Sequence, residues 1–197
     1  MPATSGFRTI GELAARCGHY CWLENRLFEL AGKASVGRVE AGDGPSDAEV
    51  RVFLSEMAPR HASLAAQWRD RLPVRAGVEA GALVVPPDGE LGPALDLLAS
   101  EPDPVLVLRG LMEQILPRLL TSYADDRAHA SAVSEAPVRA VLAWAGFYLA
   151  QEREEGAALL LRAAPGRGTA EKGGEFGAAI QQAFGNELGI LPAAWAS

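Results

Sequence analysis

Two carboxylates interrupt the apolar stripe of the longest helix that this sequence predicts. From Pro137 to Arg162, apolar residues recur at alternating spacings of three and four, which is typical of one buried helix face. The stripe runs through Val138, Val141, Ala145 and Tyr148, reaches Glu152 and Glu155, and resumes at Leu159. Burying a carboxylate is costly unless it is paired, protonated or bound to metal. The pattern therefore predicts a polar site inside a helical protein.

A second predicted helix, from Ile10 to Lys33, has the same anomaly. Its apolar stripe comprises Leu13, Cys17, Tyr20, Glu24, Leu27 and Ala31, with Glu24 in the middle. Cys17 and Cys21 lie on neighbouring turns of this helix and are expected to be small buried side chains rather than a disulfide. Inward carboxylates on two helices make the interior a candidate for chemistry or ligand binding.

Composition narrows the class of protein. A chain of 197 residues is long enough for one full-sized core. The net charge of -7 argues against nucleic acid as a partner, because phosphate-binding surfaces need a basic patch. Neither a signal pattern nor a membrane-spanning run is recognisable, so no membrane partner and a cytoplasmic location are expected.

The remaining helices are predicted from capping residues, prolines and the spacing of apolar residues. A polar linker, Ser35 to Pro45, leads to a capping box formed by Ser46 and Glu49. The second helix should extend to about Arg71, with a kink or break at Pro59. Its stripe comprises Val50, Leu54, Met57, His61, Leu64 and Trp68.

A long crossover is expected before the second half of the chain. It covers Leu72 to Gly92 and is followed by a short helix, Pro93 to Ser100. A third long helix should then run from Pro104 to Ala130, with a proline inside at Pro117, and Ser134 should cap the fourth. The third helix carries an apolar stripe of Leu108, Met112, Ile115 and Leu119.

Domain boundaries are read from composition. Residues 1–164 are expected to form the helical bundle, 165–174 a flexible linker, and 175–197 a C-terminal docking helix and tail, with the short helix at Glu175 to Gly185. Four long helices with one long connection between the second and third indicate an all-α, ferritin-like four-helix bundle.

Three segments carry a resemblance to a known family. They are His19-Tyr20-Cys21-Trp22-Leu23-Glu24, the helix from Phe53 to Leu72 that ends in Trp68-Arg69-Asp70-Arg71-Leu72, and Leu116-Pro117-Arg118-Leu119. Over about residues 8 to 163 the chain resembles the ferritin-like superfamily, including small ferritin-like proteins of high-GC bacteria. The resemblance implies a site at the bundle centre and, by analogy, a role in bacterial specialised metabolism.

The resemblance also implies where metal ligands would stand. Ferritin-like dimetal sites use a Glu from each of two helices and a Glu-x-x-His pair from each of the other two. The matching positions, with the nearest histidine, are Glu24, Glu56, His61, Glu113, Glu152 and Glu155, with Asp126 and His129 as further candidates. Neither Glu-x-x-His pair is intact, because Pro59 follows Glu56 and Glu155 follows Glu152 at the histidine position. No cofactor is therefore favoured, and iron or manganese is the alternative.

Three functions remain open. The favoured one is a metal-free central site that binds or transforms a small, mostly apolar molecule. Its acid-base residues would be Glu24, His61, Glu152 and Glu155. The first alternative is a carboxylate-bridged dimetal oxidoreductase. The second is a non-catalytic module for oligomerisation, such as a homodimer, or for partner binding.

The candidate site residues also have purely structural interpretations. Glu24 and Glu152 are also expected partners for an arginine such as Arg60, Arg127 or Arg139. His61 is also interpretable as a hydrogen-bonded core histidine, and Glu56 and Glu155 as surface residues. Most of the aromatic residues are expected in the core: Tyr20, Trp22, Phe53, Trp68, Trp144, Phe147 and Tyr148.

Overall fold

The described part of the chain is built from helices. The computed structural model describes residues 8–36, 45–74, 77, 79–87, 91–163, 177–178, 181–182 and 189–191. Within these residues every regular element is a helix, which confirms the expected all-α class. They are α1 (Ile10–Ser35), α2 (Pro45–Arg69), α3 (Leu91–Ser100), α4 (Pro104–Gly110), α5 (Leu116–His129) and α6 (Ala136–Ala163), with a 3₁₀ helix at Ala80–Leu83. None of the helices in these ranges could span a membrane.

Helix α1 begins with a complete capping box. The Thr9 hydroxyl accepts from the Glu12 N–H at 3.2 Å, and the Glu12 carboxylate accepts from the Thr9 N–H at 2.6 Å. The stripe predicted for this helix is buried from Cys17 to Ala31, including Glu24. The periodicity therefore placed the polar residue of α1 correctly.

Helix α2 runs past Pro59 without interruption, so the expected break does not occur. Pro59 is exposed, which leaves its ring on the solvent side of the helix. The whole predicted stripe of α2 is buried, with His61 and Trp68 fully enclosed. The capping box of Ser46 involves a side chain outside the described part of the chain.

The predicted third helix is continuous but not uniformly α-helical. Between α4 and α5, Leu111–Ile115 form a π-helical turn, and Pro117 lies in the first turn of α5. A proline has no N–H to donate, and a wider turn before it relieves the clash with the preceding turn. The Met112 carbonyl in this turn accepts a hydrogen bond from Nε of Arg153 on α6 at 3.3 Å.

The turn before α6 is closed by Ser131 rather than by the predicted cap, Ser134. The Ser131 hydroxyl accepts from the N–H groups of Val133 and Ser134 at 3.3 and 3.2 Å. The Glu135 carboxylate accepts from the Ser131 N–H at 2.7 Å. The helix therefore starts after a turn that fixes its direction.

Contacts between the helices define their directions. Glu24 of α1 meets His61, and Cys21 meets Ala65, so α1 and α2 are antiparallel. Glu24 also meets Tyr123 while Tyr20 meets Asp126, so α1 and α5 are antiparallel too. Helices α2 and α5 consequently run in the same direction. A long crossover between them is what this topology requires.

The crossover packs directly against α1 at Gly18. A Cβ atom at Gly18 would lie 1.9 Å from the Leu83 carbonyl oxygen, so only glycine permits this approach. One residue on, a ring nitrogen of His19 lies 3.1 Å from the Val85 carbonyl oxygen. Two backbone segments distant in sequence are therefore in direct contact.

The described residues near the C-terminus pack on α5. The backbone N–H groups of Ile190 and Leu191 donate to the Ser122 hydroxyl at 2.9 and 3.2 Å, and both side chains are buried. The predicted linker 165–174, and most of the predicted helix at 175–185, lie outside the described residues.

Candidate functional site

The imidazole ring of His61 lies between two carboxylates from different helices. Its Nδ1 donates to Glu24 of α1, and its Nε2 lies 3.1 Å from Oε2 of Glu152 on α6. His61 and Glu24 are fully buried, and Glu152 is 2% exposed. The structure thus brings together three of the four residues that the sequence predicted as catalytic.

The inner end of this buried cluster, Glu24, is fully hydrogen-bonded. Glu24 accepts from His61 on one oxygen and from the Tyr123 hydroxyl on the other. Tyr123 in turn accepts a hydrogen bond from Trp68 Nε1 at 3.0 Å. A buried carboxylate with a partner on each oxygen is a stable, positioned group.

The outer end of the cluster, Glu152, lacks such hydrogen bonds. Both oxygens of Glu152 are buried, yet neither forms a hydrogen bond of good geometry with any residue in the described part of the chain. Oε2 contacts the His61 ring at ion-pair distance, and Oε1 lies 3.5 Å from Nη1 of Arg60. Buried acceptors without well-formed hydrogen bonds are few in native proteins, and they indicate where a further donor fits.

Arg60 lies over this outer end and reaches the solvent. Its side chain is 42% exposed, and its guanidinium also approaches Glu155 at 3.7 Å and Glu56 at 3.9 Å. Both of those carboxylates are about as exposed as surface residues, at 60% and 61%. Arg60 therefore separates buried Glu152 from two carboxylates at the surface.

The charges of this cluster hold a proton on His61. Burial disfavours the imidazolium, but the charge of Glu24 and the contact with Glu152 outweigh it and raise the pKa of His61 to about 10. The pKa of Tyr123 lies well above its usual value because the phenol is buried beside Glu24. At neutral pH the site therefore holds an imidazolium between Glu24 and Glu152, with a neutral phenol behind it.

A second buried polar cluster lies next to the first. Asp126 of α5 accepts from Arg16 and from the Tyr20 hydroxyl, both at 2.6 Å, and from Arg8 at 3.0 Å. The ring of Tyr20 stacks on Trp68 at a centroid distance of 4.8 Å. The sequence named Asp126 only as a possible metal ligand and missed this cluster, although Tyr20 on the α1 stripe was a signal for it.

Four of the predicted site residues are exposed and lie outside the buried cluster. Glu155 is exposed rather than inward-facing, because three residues along a helix rotate it by about 60° from Glu152. Glu56 and Glu113 are also exposed, at 61% and 56%. His129 is exposed at the end of α5.

The arginine that contacts Glu152 is Arg60, one of the three arginines proposed from the sequence, whereas Arg139 donates to backbone carbonyls.

The donor set does not fit a dimetal centre. Both ring nitrogens of His61 already face carboxylates, so neither has a lone pair free for a metal ion at neutral pH. Glu56, Glu113, Glu155 and His129 are at the surface, and buried Asp126 already accepts hydrogen bonds from Arg16, Tyr20 and Arg8. The described residues contain no group of three or more His, Cys, Asp or Glu that could hold a metal ion. The imidazolium occupies the position between the carboxylates that a metal would need.

Comparisons with protein-family models, with curated proteins and with solved structures find no match for this chain. The resemblance to the ferritin-like superfamily therefore stays a prediction, and function has to be argued from the site.

Proposed function

We propose that the chain binds a small molecule at Glu152 and uses this carboxylate for acid-base chemistry on it. The observation that carries the proposal is the contrast between the two ends of the buried cluster. Glu24 has a hydrogen-bond partner on each oxygen, whereas Glu152 is just as buried and lacks a well-formed one. A ligand that carries a donor would complete the shell of Glu152.

The residues take different roles in this proposal. Glu152 touches the ligand and accepts its hydrogen bond or its proton. His61 and Glu24 act as positioning residues, because the imidazolium fixes the Glu152 carboxylate and Glu24 fixes the imidazolium. Arg60, anchored by Glu155 and Glu56, is the group that must move aside to admit the ligand.

The surroundings of Glu152 favour a mostly apolar ligand. Its neighbours one turn away on α6, Leu149 and Gly156, are buried. Met112 packs so closely on α6 that a Cβ at Gly156 would lie 2.4 Å from its sulfur. A ligand with many polar groups would leave them unpaired here, so one donor on an apolar body fits best.

The helix directions support the ferritin-like arrangement that we propose for the fold. A simple up-down bundle would make α2 and α5 antiparallel, whereas here both run antiparallel to α1. In such bundles the sites are formed in the core by side chains from facing helices, as Glu24, His61 and Glu152 are.

Matched small molecules test the proposed function. Benzylamine and benzyl alcohol carry a donor on an apolar ring, and toluene is the same ring without one. We expect the two donors, but not toluene, to raise the melting temperature of the full chain. Glu152→Gln should weaken benzylamine binding by at least about tenfold, because a charge-assisted hydrogen bond is lost. The surface variant Glu113→Gln, at a side chain that is 56% exposed and pairs with Arg109, should leave it unchanged.

Two results would overturn the proposal. Equal effects of toluene and the two donors, or equal binding to wild type and Glu152→Gln, would show that the carboxylate does not contact a ligand. The dimetal alternative has its own outcome: about two metal ions per chain, lost in Glu152→Ala, in metal analysis of protein purified without chelator.

A further inference from the structure

One face of α6 carries aromatic side chains where a solvent-facing helix usually carries charge. Trp144, Phe147 and Tyr148 are 39%, 61% and 43% exposed. Most of the aromatic residues were expected in the core, and these three are the exceptions. Their spacing of three and four places them on one side of the helix, beside the buried stripe.

The exposed face extends well beyond the three rings. We call it the α6 strip, and its residues are Pro137, Ala140, Trp144, Phe147, Tyr148 and Gln151, all of them exposed. It contains no charged residue over roughly 21 Å of helix. The largest apolar patch on a protein surface is often functional, so this strip is a candidate interaction site.

The rings of the strip contact one another. Trp144 and Tyr148 have centroids 4.5 Å apart, and Phe147 meets Tyr148 edge to face at 5.8 Å. Contacts of this kind hold the rings in place, so a partner that covers them loses little side-chain entropy.

A groove lies beside the strip, between the end of α2 and the start of α6. Its volume is about 360 Å³. It is lined by Gln67, Asp70, Arg71, Pro137, Ala140, Val141 and Trp144. Asp70 is exposed and Arg71 half-buried, and both line the groove. The groove thus places a carboxylate beside a guanidinium.

We infer that the α6 strip is the interface of a symmetric homodimer. The charge pattern of the groove favours a second copy of the chain as the partner. A two-fold axis brings a patch against itself, so Asp70 of each protomer can face Arg71 of the other, and both pairs are attractive. A partner with charge of a single sign would be attracted by one of these residues and repelled by the other.

The two-fold symmetry also places a side chain of the other protomer in the groove. If the two α6 helices cross antiparallel near Trp144, Phe147 of one protomer lies opposite Ala140 and Val141 of the other. Those two residues line the groove. The most exposed ring of the strip therefore inserts into the groove, and the same contact forms twice.

The size of the strip sets the strength of the dimer. The exposed parts of its three rings amount to roughly 200–350 Å² per protomer, against about 800 Å² per partner in a standard interface. A weak dimer with a dissociation constant in the micromolar range is expected, so the monomer fraction should change with concentration.

Sedimentation equilibrium of the full chain from about 1 μM to about 1 mM tests the inference. We expect a monomer–dimer equilibrium that Phe147→Asp shifts to monomer, with the dissociation constant raised at least tenfold. Phe28→Asp is the matched control: Phe28 is 41% exposed on α1, away from the strip, and its replacement should leave the equilibrium unchanged. Circular dichroism establishes that both variants are folded.

A wild-type chain that stays monomeric over this range would overturn the inference. So would a dimer that persists in folded Phe147→Asp, because the interface would then lie elsewhere. The charge pairing has a separate readout in Asp70→Arg, which places like charges together and should weaken the dimer, the more so at low salt.

Discussion

The Oε2 atom of Glu152 lies 3.1 Å from Nε2 of His61, which joins a carboxylate of α6 to an imidazole of α2 inside the core. Because the other ring nitrogen is bound to Glu24, the imidazolium links three helices. Breaking a buried pair leaves an uncompensated charge, so the contact fixes how these helices pack. It also holds the buried carboxylate beside Arg60, whose side chain reaches the solvent.

His61 should stay protonated well above neutral pH. Its pKa is raised from 6.5 to about 10, so the native state binds a proton that the unfolded chain has released between these values. The stabilisation is complete below about pH 6.5 and is lost as the pH rises towards 10. Nitrogen NMR of the imidazole should show both nitrogens protonated at pH 8.5. A neutral ring at that pH would contradict the ion-pair assignment.

The same linkage should appear in folding stability. Between about pH 7 and pH 9 the free energy of unfolding should fall with rising pH by up to about 1.4 kcal/mol per unit. This window lies below the reference pKa of tyrosine, so phenols contribute little. Burial raises the pKa of the Cys17 and Cys21 thiols, which add a slope of the same sign near pH 9 in wild type and variant alike. Urea unfolding of wild type and of His61→Gln at several pH values measures the slope, which should be much shallower in the variant. Parallel slopes would assign the pH dependence to other groups.

Glu24→Gln should be strongly destabilising. Removing the charge leaves the imidazolium of His61 with one carboxylate fewer, and breaking a buried ion pair costs about 3–5 kcal/mol. The same substitution at Glu155, which is 60% exposed, should change the unfolding free energy by less than about 0.5 kcal/mol. Urea denaturation at pH 7 compares the two variants. Equal effects would mean that the burial of Glu24 has no energetic consequence.

Gly18→Ala should destabilise the chain through the crossover. The new Cβ would overlap the Leu83 carbonyl oxygen, and displacing the backbone should cost about 1–3 kcal/mol. Gly32→Ala on the same helix is the control, because a Cβ there meets nothing within 4 Å. That variant should be stabilised by about 0.5–1 kcal/mol through helix propensity. A Gly18→Ala chain as stable as wild type would show that the crossover does not pack against α1 at this position.

Ser122→Ala should release the segment that contains Ile190 and Leu191. Their N–H groups share the Ser122 hydroxyl, and losing it leaves two donors without that acceptor, at a cost of about 1–3 kcal/mol. Hydrogen exchange at these two amides should become faster. Thr121→Ala serves as the control, since its hydroxyl only donates within α5 to the Pro117 carbonyl at 3.0 Å. Unchanged exchange in Ser122→Ala would contradict this docking.

The sequence determined the properties that depend on one helix at a time. Spacings of three and four placed Glu24 on the buried face of α1, His61 on that of α2 and Glu152 on that of α6. The same periodicity failed at the edges of the α6 stripe, where Tyr148 and Glu155 are exposed. A side chain at the edge of a stripe is buried or exposed according to how closely the neighbouring helix approaches, and the helix's own sequence does not contain that distance.

Only the tertiary structure decided which buried groups meet. The contacts of His61 with two carboxylates, of Tyr123 with Glu24, and of Tyr20 with Asp126 all join different helices. Their sequence separations run from 37 for His61 with Glu24 to 106 for Tyr20 with Asp126. A periodic pattern gives the face of each residue, whereas a pairing depends on the direction and offset of two helices, which packing of the whole core sets. The well-bonded Glu24 and the incompletely bonded Glu152 look alike in sequence for this reason.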